Sequence, residues 1–106
     1  MWKKIDYLRR KLKQGLRDFV KGPYYVLEGQ CFLVPKSAPV GARRGLSQGR
    51  YEAPERRLLR QFLPTDMPVI ELGGSYGIVS NVIRRHISSD QLHVIVEANA
   101  DLLPIC

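Results

Sequence analysis

Two acids and one glycine-rich turn are the residues here whose types and spacing could do chemistry. Pro68-Val69-Ile70 leads into Glu71 and Leu72, and then comes Gly73-Gly74-Ser75-Tyr76-Gly77. Ile78, Val79, Val82 and Ile83 follow at helical steps, and Glu97 closes a second apolar run twenty residues beyond Gly77. Glycines at 73, 74 and 77 let the backbone turn sharply and let a ligand approach without meeting a Cβ. A helix that starts directly after such a turn aims free amide N–H groups and its positive dipole end at the ligand. An acid at the end of the next parallel strand is placed to accept both hydroxyls of a ribose. The expectation is a nucleotide-like cofactor.

The loop also narrows the cofactor. Gly73-x-Ser75-x-x-Ile78 lacks the second and third glycines of the dinucleotide fingerprint, which admit a pyrophosphate and allow tight helix packing. Glu71, two residues before Gly73, would repel a diphosphate but welcome an aminoacyl ammonium. That favours S-adenosylmethionine over NAD. A glycine-rich turn that binds nothing and serves only as architecture is the competing reading.

Glu71-Leu72-Gly73-Gly74-Ser75-Tyr76-Gly77, preceded by a helix from Tyr51-Glu52-Ala53-Pro54-Glu55 to Leu63 and followed by Val96-Glu97-Ala98-Asn99, resembles the opening of the FkbM-type class I methyltransferases. The resemblance covers roughly residues 51–106. That family typically has Asp in an Asp-x-Gly-Ala-Asn-x-Gly loop and then Glu-Pro-Asn. Here Glu71 replaces the Asp, Gly74-Ser75 replaces Ala-Asn, and Ala98 replaces Pro. The resemblance implies a Rossmann-like α/β fold, truncated after its second core strand, and S-adenosylmethionine as cofactor. It implies that Gly73, Gly74, Ser75, Tyr76 and Gly77 wrap the methionine and ribose, that Glu71 faces the amino-acid moiety, and that Glu97, with Ala98 beside it, holds the ribose hydroxyls. Methylation of a hydroxyl on a small molecule or sugar is the implied activity.

Methyl transfer asks the protein to align an acceptor with the methyl group and, where needed, to remove a proton. The base and the acceptor pocket of a class I enzyme are expected beyond the fourth strand, so no catalytic residue is assigned. His93 lies mid-strand in an apolar run and reads as a core or sheet-face residue. His86, with Arg84 and Arg85, sits where cations favour a helix C-terminus.

Other elements must position this site. Pro68–Leu72 and Leu92–Val96 read as strands, the second apolar enough to be buried on both faces of a parallel sheet. Tyr51–Leu63 reads as a helix with Pro54 in its first turn and Leu58, Leu59, Phe62 and Leu63 on its buried face. Asn99 is placed to cap a further segment. The first half of the chain differs in character. Trp2, Ile5, Leu8, Leu12, Leu16 and Phe19 recur at three- and four-residue steps and mark one narrow stripe on a helix that ends at Gly22-Pro23. That stripe needs a surface, whether the domain itself, a membrane interface or a partner protein. Tyr24–Leu27 and Gln30–Val34 around Glu28-Gly29 predict a hairpin. Residues 36–50 have no hydrophobic period and read as an exposed loop.

The division expected is therefore a basic helix, hairpin and loop over 1–50 and the first part of a cofactor-binding domain over 51–106. The 106 residues carry a formal charge of +7, and 44% of them are hydrophobic, ordinary for a chain with a core. The charge is uneven: residues 1–21 hold eight Lys/Arg against two acids, residues 67–106 two Arg against four acids. A basic arm admits RNA as an alternative partner, hence an RNA methyltransferase, and a truncated non-catalytic interaction module is the non-enzyme reading. Cys31 and Cys106 show neither metal-ligand nor disulfide-framework spacing and suit a reducing compartment. No stretch approaches a secretory signal or a bilayer span, so a cytoplasmic location is expected. Two parallel strands leave edges and faces uncovered. A missing C-terminal portion, or a homo-oligomer, is expected to complete the sheet.

Overall fold

Apolar residues at three- and four-residue steps form α1 (Trp2–Lys21), and Gly22, at φ 63°, ends it. Chain reversal at Glu28 and Gly29, both with positive φ, joins β1 (Tyr24–Leu27) to β2 (Gln30–Leu33) as an antiparallel hairpin with Tyr24 opposite Leu33 and Leu27 opposite Gln30. Left-handed conformations at both central residues match the twist of the flanking strands. The structure, a computed structural model, describes all residues from Met1 to Cys106 and divides into two units, Met1–Tyr51 and Glu52–Cys106.

In the first unit the expected loop over 36–50 contains a helix, α2 (Val40–Ser47). Its sequence has no apolar period because the helix buries only Leu46, and its other attachment is polar: Arg43 pairs with Asp18 of α1. Tyr25, Leu27, Val34, Ala38 and Leu46 make the core. α1 meets this core with polar residues. Gln14 is buried and donates to Asp18 Oδ1 (2.8 Å), Tyr25 Oη donates to the same oxygen (3.2 Å), and the Arg17 guanidinium stacks 3.6 Å from the Tyr25 ring centre. Burial pushes the Tyr25 phenol above its usual range, and Arg17 opposes the shift.

The second unit is α/β. It runs α3 (Ala53–Phe62), β3 (Val69–Leu72), α4 (Ile78–His86) and β4 (His93–Val96). β3 and β4 pair in parallel with Val69 opposite His93 and Leu72 opposite Val96, so α4 is the crossover of a β-α-β unit. Tyr76, Ile78, Val82, Ile83 and Ile87 form the core. His86 donates from Nε2 to the Leu63 carbonyl at 2.7 Å, tying the end of α4 to the end of α3.

Two expectations about burial are corrected. β4 is not covered on both faces, because Ile70, Leu72, Val94 and Val96 share the side of the sheet away from Glu71 and are exposed, Leu72 by 80%. Nor is the apolar face of α3 buried. Leu58 and Phe62 are more than half exposed, and the buried residue of the helix is Arg56. Leu58, Leu59, Phe62 and Leu63 instead line a groove of about 640 Å³ shared with Ile70, Val79 and Ile83. Apolar periodicity marks a face that avoids water, without saying what covers it.

Candidate functional site

Parallel pairing brings the carboxyl ends of β3 and β4 side by side, the position at which open α/β sheets bind ligands. The Gly73 N–H donates to the Val96 carbonyl at 2.7 Å, carrying the ladder one residue past β3. The chain then turns through positive φ at Gly73 (86°), Ser75 (50°) and Gly77 (78°), closed by a Gly77 N–H to Gly74 carbonyl bond of 2.9 Å. α4 starts at once, and no side chain caps it. Its positive end is left to whatever occupies the turn.

Glu97, one residue beyond β4, reaches back to this turn. Its Oε2 accepts the Ser75 N–H at 2.8 Å and its Oε1 accepts the Asn99 N–H at 2.8 Å. These two backbone donors, Asn99 foremost and Ser75 next, hold the carboxyl below the usual glutamate range. A carboxylate offers about four acceptor positions, and the Ala98 N–H takes a further, weaker share, so capacity remains for a ligand hydroxyl. The Asn99 side chain accepts the Asp101 N–H at 3.1 Å, starting a run of turns to Cys106 rather than a helix.

The three glycines have different reasons to be glycine. At Gly73 an added Cβ would meet nothing within 4 Å. At Gly74 it would lie 2.6 Å from Ile95 Cγ2 and 3.0 Å from Cys106 Cβ, and at Gly77 it would lie 3.1 Å from Cys106 Cα. Open approach is thus a property of Gly73. Gly74 and Gly77 make room for the chain's own β4 and C-terminal turns. Tyr76 is buried in the core, and Ala98 is exposed beside Glu97.

Glu71 turns away from this cluster. His93 Nε2–H donates to its Oε2 at 3.0 Å, with both side chains nearly buried (5% and 6% exposed), while Glu71 Oε1 is buried and accepts no hydrogen bond. Register explains the pairing: Glu71 stands opposite Ile95, so His93 is its diagonal neighbour on the same face. Glu52, in a left-handed conformation before α3, has its carboxyl pushed up, first by burial and then by the charges of Glu55 and Glu71. Neither Glu52 nor the His93 partnership was among the expected site features. A parallel register, had it been known, would have revealed the second. Glu97, Ser75 and Gly73 lie together, and Glu71 pairs with His93 instead.

Compared with known proteins, the chain matches no family model, no curated protein and no solved structure.

Proposed function

We propose that the second unit belongs to a Rossmann-like, S-adenosylmethionine-dependent methyltransferase acting on a hydroxyl of a small molecule or sugar. The observation that carries this reading is the Glu97 carboxylate, held by backbone N–H groups at the end of a parallel strand and bonded to the glycine turn of the neighbouring strand. A preset, ionised acid beside an open Gly73 suits a ribose diol, since each hydroxyl can donate to one carboxylate oxygen. The uncapped start of α4 supplies N–H donors. Bound S-adenosylmethionine would supply an electrophilic methyl group. Gly73, Ser75 and Glu97 would hold and orient it, whereas Glu71, buried against His93, faces away from that cluster.

The packing of Ile105 and Cys106 against Gly77 favours a second reading, in which the turn is occupied by its own chain and binds no cofactor. Titration calorimetry with S-adenosylhomocysteine separates the two. Saturable binding, weakened at least about tenfold in Glu97→Ala and absent with NADH, supports the cofactor site. A folded chain that takes up no S-adenosylhomocysteine overturns it.

A further inference from the structure

α1 is built with its polar side inward. Gln14, Asp18 and Arg17 face the hairpin and α2, whereas Ile5, Leu8, Leu12, Leu16 and Phe19 are all exposed, Phe19 by 88%. At 3.6 residues per turn these five fall within about a quarter of the helix circumference, opposite Gln14. Trp2, 82% exposed, and Val20 extend one border of the stripe. The stripe runs the length of a 20-residue helix, about 30 Å.

The charge around this stripe says what it meets. Lys4 and Lys11 flank one side and Arg9 and Lys13 the other, all exposed. Both acids of the helix are engaged away from the stripe: Asp6 pairs with Arg10, and Asp18 with Arg17 and Arg43. Two copies pairing through the stripe would bring rows of cations together, which like charges disfavour. Single-stranded nucleic acid needs a cationic track with stacking platforms, but the centre of this face is aliphatic. An apolar stripe with aromatic residues at both ends and cationic borders matches a helix lying in a membrane interface, where lysine and arginine stems reach up to anionic headgroups.

We propose that α1 docks the protein in the plane of an anionic lipid bilayer, with Leu8, Leu12, Leu16 and Phe19 inserted at the acyl boundary. This inference is independent of the function proposed for the second unit. Gly15 borders the stripe beside a shallow apolar depression lined by Leu8, Lys11, Leu12 and Leu16, and a Cβ there would meet nothing within 4 Å. The stripe can therefore be enlarged as well as broken.

Trp2, the one tryptophan of the chain, reports directly. The full chain is mixed with vesicles of phosphatidylcholine alone or with about 30 mol % phosphatidylserine, and Trp2 emission and co-sedimentation are followed. A blue shift and co-sedimentation with the anionic vesicles, suppressed at about 0.5 M salt, are expected. Leu12→Glu, at an exposed position, should weaken binding more than about tenfold, and Gly15→Leu should tighten it. No association with anionic vesicles overturns the proposal, as does association that Leu12→Glu leaves unchanged. A concentration-dependent dimer that buries Trp2 and ignores vesicles overturns it in favour of a second copy.

Discussion

The Ser75 N–H donates to Glu97 Oε2 at 2.8 Å across 22 positions of sequence, locking the glycine turn to the end of the neighbouring strand. The bond needs the ionised carboxylate. Because the backbone donors lower the Glu97 pKa, the order it contributes is fully present above the ordinary glutamate value of about 4.3 and is lost as pH falls through the lowered one. In an amide NMR titration from about pH 6 to about pH 3, the Ser75 and Asn99 signals should move together, with a midpoint below about 4.3. A midpoint at or above that value would mean the two bonds do not form in solution.

Glu71 and His93 predict a ranking. Removing the histidine takes from a nearly buried carboxylate the N–H that its Oε2 accepts, when Oε1 already accepts none. Removing the glutamate leaves only an imidazole N–H unsatisfied. His93→Ala is therefore expected to cost about 3 kcal/mol and Glu71→Ala about 1–2 kcal/mol, with Glu71→Gln milder still because its amide oxygen can accept the same bond. Urea denaturation of the three variants gives the order, and a Glu71→Ala loss larger than that of His93→Ala would refute the argument.

Asp18 predicts a contrast between two ion pairs on one helix. It accepts from Gln14 and Tyr25 and pairs with Arg17 and Arg43, and its side chain is 12% exposed. Asp6 pairs only with Arg10, where both side chains are more than half exposed. Asp18→Ala should cost about 2–4 kcal/mol, because it removes the carboxylate shared by a buried phenol and two guanidinium groups, which keep only the backbone carbonyls of Gly22 and Tyr24 for Arg17 and of Ala38 for Arg43, and Asp6→Ala less than about 0.5 kcal/mol. Equal thermal shifts for the two would show that the first unit is not organised around Asp18.

The sequence carried the elements whose signals are local. The three- and four-residue steps of α1, the Glu28-Gly29 reversal, and the strand, turn and helix from Val69 to His86 are each set by residues within one turn or one hairpin of each other. α2 was hidden because an eight-residue helix that buries only Leu46 and is fixed by an ion pair to Asp18 leaves no apolar period. The bare faces of α3 and of the β3–β4 sheet were illegible for another reason: Phe62 and Leu72 have core composition, and composition does not name a covering partner. At the candidate site, Glu97 and Gly73 could be placed from spacing alone. The turn of Glu71 toward His93 could not, since it depends on strand register and on which face each side chain takes.

Register also sets the last prediction, at Gly74. Ile95 stands opposite Glu71 in β4, and its Cγ2 would lie 2.6 Å from a Cβ at position 74, closer than packed atoms approach. Gly74→Ala must therefore shift the Ile95 side chain, β4 or the turn and should cost about 1–3 kcal/mol. Gly73→Ala meets no neighbour, and its cost, about 1 kcal/mol, comes from the left-handed backbone alone. Shortening Ile95 relieves only the first clash. A double-mutant cycle of Gly74→Ala with Ile95→Ala should show coupling of at least about 0.5 kcal/mol, and the matching cycle with Gly73→Ala none. If both cycles are additive in urea denaturation, the glycine at 74 is not there to admit Ile95, and the Cys106 side chain, whose Cβ would lie 3.0 Å from a Cβ at position 74, becomes its better explanation.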